Sequence, residues 1–216
     1  MKKFALIILC LLMITMGACA NNKQKESEST KDETPEIISE ETEEETIDEK
    51  STLPTISRVD ITFQYQRAST HASNQIAIWV EDENGELVKT ILVTNFTAGR
   101  RGYRNREDSL CNWVKAANPD DMSDVEIDAI SSATPSEGEL TYSWDLTDEN
   151  GNRVPDGEYT IKLEGTLYWE SNVLYTAKVN MLKTQDGDIA VEELRSAPEV
   201  QENNEMIQAV EISIAR

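Results

Sequence analysis

The sequence predicts a mainly β protein, an antiparallel β-sandwich carrying a short helical insertion. Three observations point there. Beyond position 56, apolar and polar residues alternate along several short stretches; Gly- and Asn-bearing turns separate them; one stretch alone has helical spacing. Period-two alternation marks a strand with one buried face, and short strands divided by such turns build sandwiches.

Val59, Ile61, Phe63 and Tyr65 alternate with polar residues and predict the first strand. Ile76, Ile78 and Val80 predict the second. Asp82-Glu83-Asn84-Gly85 follows as a hairpin turn whose Asn-Gly pair accepts positive φ, and Val88–Thr94 returns as the third strand. Leu110, Trp113, Val114 and Ala117 lie at helical spacing, which predicts a helix over Glu107–Ala117 with Cys111 as a small core residue. Leu140, Tyr142 and Trp144 alternate again. A loop with Asn150-Gly151 and Pro155-Asp156-Gly157 leads to a strand at Tyr159, Ile161 and Leu163. Asn172–Leu182 and Met206–Ile214 complete the set. Trp79 through Asp82-Glu83-Asn84-Gly85 to Val88 is echoed by Trp144 through Asp148-Glu149-Asn150-Gly151 to Val154. A repeated unit and convergent turn chemistry both account for the echo.

The first residues have another purpose. Lys2 and Lys3 precede an apolar run, Phe4–Ile14, that is too short to span a bilayer. Met16-Gly17-Ala18-Cys19 then resembles a bacterial lipobox, so residues 1–18 are expected to be a lipoprotein signal peptide, with Cys19 lipidated. Multiple acyl chains on Cys19 would hold the protein on the extracytoplasmic face of the cell membrane. Cys10 would leave with the signal, and Cys111 is then without a disulfide partner. Residues 19–55 are expected to be a disordered tether: Asn21–Lys50 carries 12 Asp+Glu against 4 Lys, with few large apolar residues to offset chain entropy. Residues 56–216 form the one domain, which contains all four Trp and all six Tyr.

Charge and composition exclude several roles. A net charge of −21 argues against nucleic acid as a partner, because a phosphate backbone needs a basic face. A single His, His71, leaves no multi-His metal site, and no nucleophile–base spacing surrounds it. The expected role is therefore not that of an enzyme. Trp79, Trp113, Trp144 and Trp169 read as core anchors, Trp169 less clearly than the others.

The run Trp144-Asp145-Leu146-Thr147-Asp148-Glu149-Asn150-Gly151-Asn152-Arg153-Val154-Pro155-Asp156-Gly157-Glu158-Tyr159 resembles the W-D-G-x-D-x-x-G-x-x-V-P-x-G-x-Y signature of immunoglobulin-like modules related to flagellar hook-capping proteins, with Leu146 in place of that signature's first Gly. Together with Ile78–Asp82, Gly85, Val88, Tyr103, Trp113 and Asp128–Thr134, it resembles a narrower family, the predicted periplasmic proteins of domain of unknown function 2271. The resemblance implies an immunoglobulin-like sandwich outside the cytoplasm and a setting among extracytosolic flavin systems.

Three constellations are candidates for function. Asp128-Ala129-Ile130-Ser131-Ser132-Ala133-Thr134 resembles the D-x-x-S-G-A-T target of flavin transferases, which implies covalent FMN on the Thr134 hydroxyl; Ser132 stands where that motif has Gly. An ordinary loop of turn-forming residues is the competing reading. Arg100, Arg101, Arg104 and Arg106 crowd one short stretch of an acidic domain. Guanidinium forks bind phosphate or carboxylate, which predicts an anion site, against internal pairing with Glu107, Asp108 or the acidic run Asp120–Asp128. Asp145, Asp148, Asn150 and Asp156 offer oxygens without EF-hand spacing, and capping of their own turn explains them better than calcium. The main expectation is a non-catalytic accessory module of a flavin-linked redox system, with a flavin transferase or redox membrane protein as partner. The alternative is a structural or adhesive surface module that binds a protein or cell-wall partner through its loops.

Overall fold

The computed structural model describes residues 56–68, 73–99, 102–167, 171–182, 189–196 and 205–216. The signal segment, Cys19 and the tether lie outside the described residues, as do His71, Arg100, Arg101 and Trp169. The elements in chain order are β1 (Arg58–Tyr65), β2 (Gln75–Glu81), β3 (Leu87–Thr94), α1 (Asn95–Ala98), α2 (Gly102–Asn105), α3 (Cys111–Ala117), α4 (Asp124–Ile130), β4 (Ser131–Ser132), β5 (Gly138–Trp144), β6 (Glu158–Thr166), β7 (Asn172–Asn180), β8 (Val191–Arg195) and β9 (Ile207–Ala215). The fold is mixed, dominated by strands. Among the described residues no helix is long and apolar enough to cross a membrane.

The strands form a three-stranded sheet, β5-β1-β9, and a six-stranded sheet, β4-β3-β2-β6-β7-β8. All ladders are antiparallel except the short β3–β4 pair. Alternation decides which side chains meet. Val59, Ile61, Phe63 and Tyr65 of β1 share one core with Ile76, Ile78 and Val80 of β2, Ile161 and Leu163 of β6, and Val173 and Tyr175 of β7. Gly165 on β6 leaves room for Met206 and Ile207 at the start of β9; a Cβ there would stand 2.6 Å from the Met206 Cε. At about 25 cal/mol per Å² of apolar surface removed from water, this shared core is the main stabilising element.

The opposite face of β2 is covered too. Ala77 and Trp79 pack with Val93, Ala98, Leu110, Trp113, Ala117 and Ile127 in a second cluster that seats the helices on the larger sheet. Every residue of β2 is consequently buried.

The helical part differs from the expected insertion over Glu107–Ala117. Among the described residues there are four short helices, and the helix at that place begins only at Cys111. Leu110 precedes it in a left-handed conformation, φ 51°, and offers no side-chain cap. The cap comes instead from β6. The Glu164 carboxylate accepts the backbone N–H groups of Asn112 at 3.2 Å and Trp113 at 2.9 Å, and the Thr166 hydroxyl accepts that of Leu110 at 3.1 Å. Cys111 is exposed rather than a core residue. Its sulfur lies 3.8 Å from the Glu164 carboxylate, and desolvation first, then that neighbouring charge, push the thiol up to about 11.

Candidate functional site

The echoed turns build the site. In the first, the Asp82 N–H donates to the Glu86 carbonyl at 2.9 Å and the Gly85 N–H to the Asp82 carbonyl at 3.1 Å. In the second, Asp148 with Asn152, and Gly151 with Asp148, repeat both bonds at 2.9 and 3.1 Å. The Asp82 carboxylate accepts the N–H groups of Asn84 and Glu86 at 2.8 and 2.9 Å, and the Asp148 carboxylate accepts those of Asn150 and Asn152 at 2.9 and 2.8 Å. Only the glycines have positive φ, 81° at Gly85 and 79° at Gly151. Asn84 and Asn150 do not, so the Asn-Gly pair is not left-handed at both residues as the sequence suggested. The geometry is a tight turn closed by one left-handed Gly.

The second turn lies against the first hairpin. The Glu149 N–H donates to the Val88 carbonyl at 3.1 Å, and the Glu149 carboxylate accepts the Thr90 N–H at 2.7 Å. Between the two turns opens a cleft of about 560 Å³. Val88, Val154, Pro155 and Tyr159 give it an apolar floor, and Asp82, Glu83, Asp148 and Asp156 give it an acidic margin. A volume of this size is in the usual range of ligand sites. The Tyr159 hydroxyl donates to the Pro155 carbonyl at 2.7 Å; burial, then the charges of Asp82, Asp156 and Glu83, raise its pKa. Backbone N–H donors hold the Asp82 and Asp148 carboxyls below the usual carboxylate range. Asp145 is pulled down to about 2 by the Thr147 hydroxyl and by Lys89, whose ammonium stands 2.9 Å away. These oxygens serve their own turns. Among the described residues no group of three or more His, Cys, Asp or Glu side chains converges to hold a metal ion.

The arginine stretch divides into separate environments. Arg104 pairs with Asp120, which also accepts the Tyr103 hydroxyl at 2.7 Å, and the guanidinium lies 5.7 Å from the Tyr103 ring centroid. Arg106 is buried and donates to the Leu167 carbonyl at 2.9 Å and the Ser73 hydroxyl at 3.3 Å; burial lowers its pKa. Arg104 and Arg106 therefore serve different neighbours, while Arg100 and Arg101 lie outside the described residues.

Thr134 follows β4, the two-residue strand that extends the edge of the larger sheet beside β3. Asp128–Ile130 is the last part of α4 rather than loop. Ser132 is extended, so the position of the motif's Gly makes no demand for a left-handed backbone here. Ser132 and Ala133 are exposed, and the half-buried Thr134 hydroxyl donates one long bond, 3.4 Å, to the Asn74 carbonyl.

The capping carboxylate of Glu164 was not legible as such. It is fully buried, and desolvation raises its pKa in spite of its donors. In the sequence Glu164 falls in the polar phase of β6 with Thr160, Lys162 and Thr166, so nothing sets it apart from a solvent-facing glutamate.

Residues 57–196 match the family described as "Predicted periplasmic protein (DUF2271)", and the chain belongs to that family. An extracytoplasmic location is consistent with that description. No curated protein matches. The chain is similar to the crystal structure of truncated FlgD from the human pathogen Helicobacter pylori, at 14% identity over 74% of this chain and 84% of that one, with a TM-score of 0.28.

Proposed function

We propose that this member of the predicted periplasmic family is a non-catalytic surface module that engages a protein or cell-wall partner through the loops at its twin-turn end. In this reading lipid on Cys19 anchors the chain, residues 19–55 give it reach, and the two facing sheets are an immunoglobulin-like sandwich that presents the loops. The observation behind the reading is the cleft of about 560 Å³ between two turns, each closed by its own backbone hydrogen bonds and by an Asp carboxylate. Preorganised loops on a stiff scaffold lose little entropy on binding.

Site-specific photo-cross-linking in intact cells tests this. A photoreactive residue at Asn84 or Asn150 is expected to give a discrete adduct, and one at Thr141, exposed on the smaller sheet, none. Absence of an adduct from the turns, or equal adducts from Thr141, overturns the reading.

A second reading has FMN esterified to Thr134 by a flavin transferase, which would make the module an accessory of a redox membrane protein. The weakly held hydroxyl beside exposed small residues favours it. Co-expression with a flavin transferase is then expected to add the mass of one FMN group, and Thr134→Ala to abolish the addition. No added mass, or added mass that survives Thr134→Ala, removes the reading.

A further inference from the structure

We propose that the cleft between the twin turns takes a Lys- or Arg-bearing peptide segment of an extracytoplasmic protein partner, with apolar residues of the segment on its floor. The inference rests on the adhesive reading above and names the chemistry of its partner. Charge complementarity selects the occupant. Glu83 and Asp156 face the cleft from different loops, and among the described residues neither forms an ion pair. Arg153, the one cationic side chain among the described residues that line the cleft, donates its Nη2 to the Ile56 carbonyl at 3.1 Å and forms no ion pair with Glu83 or Asp156. Lys89 beside the second turn is occupied by Asp145 and Thr147. Among the described residues Glu83 and Asp156 are therefore without an ion-pair partner, although Lys89 acts on Asp148 and Lys178 pairs with Glu158, while Val88, Val154, Pro155 and Tyr159 supply apolar contact beside them. An ammonium or guanidinium on an extended segment would meet Glu83 and Asp156 at the margin, and its neighbouring residues would cover the floor.

The test uses the full chain and a fluorescein-labelled Ac-Lys-Leu-Lys-Tyr-Lys-amide peptide, followed by anisotropy, beside a counterpart with Glu for Lys. The Lys peptide is expected to bind and the Glu peptide not. Glu83→Gln/Asp156→Asn is expected to weaken binding at least tenfold. Glu139→Gln/Glu211→Gln, which removes the same charge from the exposed face of the smaller sheet, is expected to change it less than twofold. All substituted positions are exposed, and matching thermal melts verify that both variants fold. The acidic N-terminal segment adds the same background to both. Equal loss in the two double variants assigns binding to overall charge and overturns the proposal, as does failure of the Lys peptide to bind. Displacement of the peptide by equimolar 1,4-diaminobutane assigns the cleft to small amines and overturns it as well. Cross-links from Asn84 without peptide binding overturn this inference and leave the adhesive reading standing; peptide binding without cross-links overturns the adhesive reading and, with it, the assignment of the cleft to a protein partner.

Discussion

Asp82–Glu86 and Asp148–Asn152 fold alike, yet the first joins neighbouring strands of one sheet and the second carries the chain from the smaller sheet to the larger. What they share is local. An aspartate gathers two N–H groups ahead of it, and a glycine three residues on turns left-handed. What they do not share is tertiary. The second has one more residue between its Trp and its Asp, and within that stretch Leu146 takes φ 62° while its side chain is fully buried. It is also fastened by the Lys89–Asp145 pair and by the Trp144 indole N–H, which donates to the Thr147 carbonyl at 2.9 Å. Turn chemistry thus sets the shape of both loops, and core packing sets where the second one is held.

Leu146 gives the largest expected effect. Leu146→Ala should destabilise the domain by about 2–4 kcal/mol, because it removes a buried side chain and leaves a cavity. Leu146→Gly loses the same side chain but frees the backbone from a left-handed penalty of about 1 kcal/mol. Chemical denaturation of both variants separates the two contributions. Leu146→Gly should be the more stable of the pair, and a less stable glycine variant would mean that the left-handed backbone carries no strain.

Gly85→Ala and Gly151→Ala sharpen the comparison at a smaller scale. A Cβ at either position meets nothing within 4 Å, so only backbone strain is added, about 1–2 kcal/mol in each case. Equal losses in denaturant midpoint would show that the turns are energetically as well as geometrically alike. A clearly larger loss at Gly151 would mean that the crossover between sheets depends on its turn more than the hairpin does.

Legibility in the sequence follows the same division between local and tertiary causes. The strands with strict alternation were readable, and so were the turns, because Asp-x-Asn-Gly carries its own hydrogen-bond partners. Val191–Arg195 was not, since its five residues include three charges and it owes its strand state to pairing with β7. Asn95–Ala98 and Gly102–Asn105 are too short for a helical period to show. They touch closely, and a Cβ on Gly102 would overlap the Phe96 carbonyl. The start of α3 depends on Glu164, some fifty residues away in the chain. The sequence reading missed α4 as well, although a local signal was present in the Ser123–Glu126 capping box, in which the Glu126 carboxylate accepts the Ser123 N–H at 2.7 Å. As for the site, the two halves of the cleft were visible as an echo, but their meeting was not, because it depends on Glu149 reaching Val88 and Thr90 across the sheets.

Acid provides the finest discrimination between the turns. Asp145, at about 2 in the folded protein, and Asp148 lie beside the second turn, whereas Asp82 serves the first. Each has a folded pKa below its unfolded value. The stabilisation each gives is therefore present above the unfolded carboxylate pKa, near 4, and is lost as pH falls through the folded value. Glu164 has the opposite sign: its raised pKa means that protonation favours the folded state, so its contribution increases as pH falls. The melting temperature of the parent should consequently fall between about pH 4 and pH 2. Asp145→Asn should flatten that fall, because an amide keeps much of the hydrogen bonding without the titration. Asp82→Asn should flatten it less, since the first turn has no Lys89-like cation to lose. Asp145 is largely exposed, so the effect is small and is diminished by salt, and the experiment belongs at low ionic strength. An Asp82→Asn profile flatter than that of Asp145→Asn would assign the acid sensitivity to the hairpin and break the distinction between the two turns.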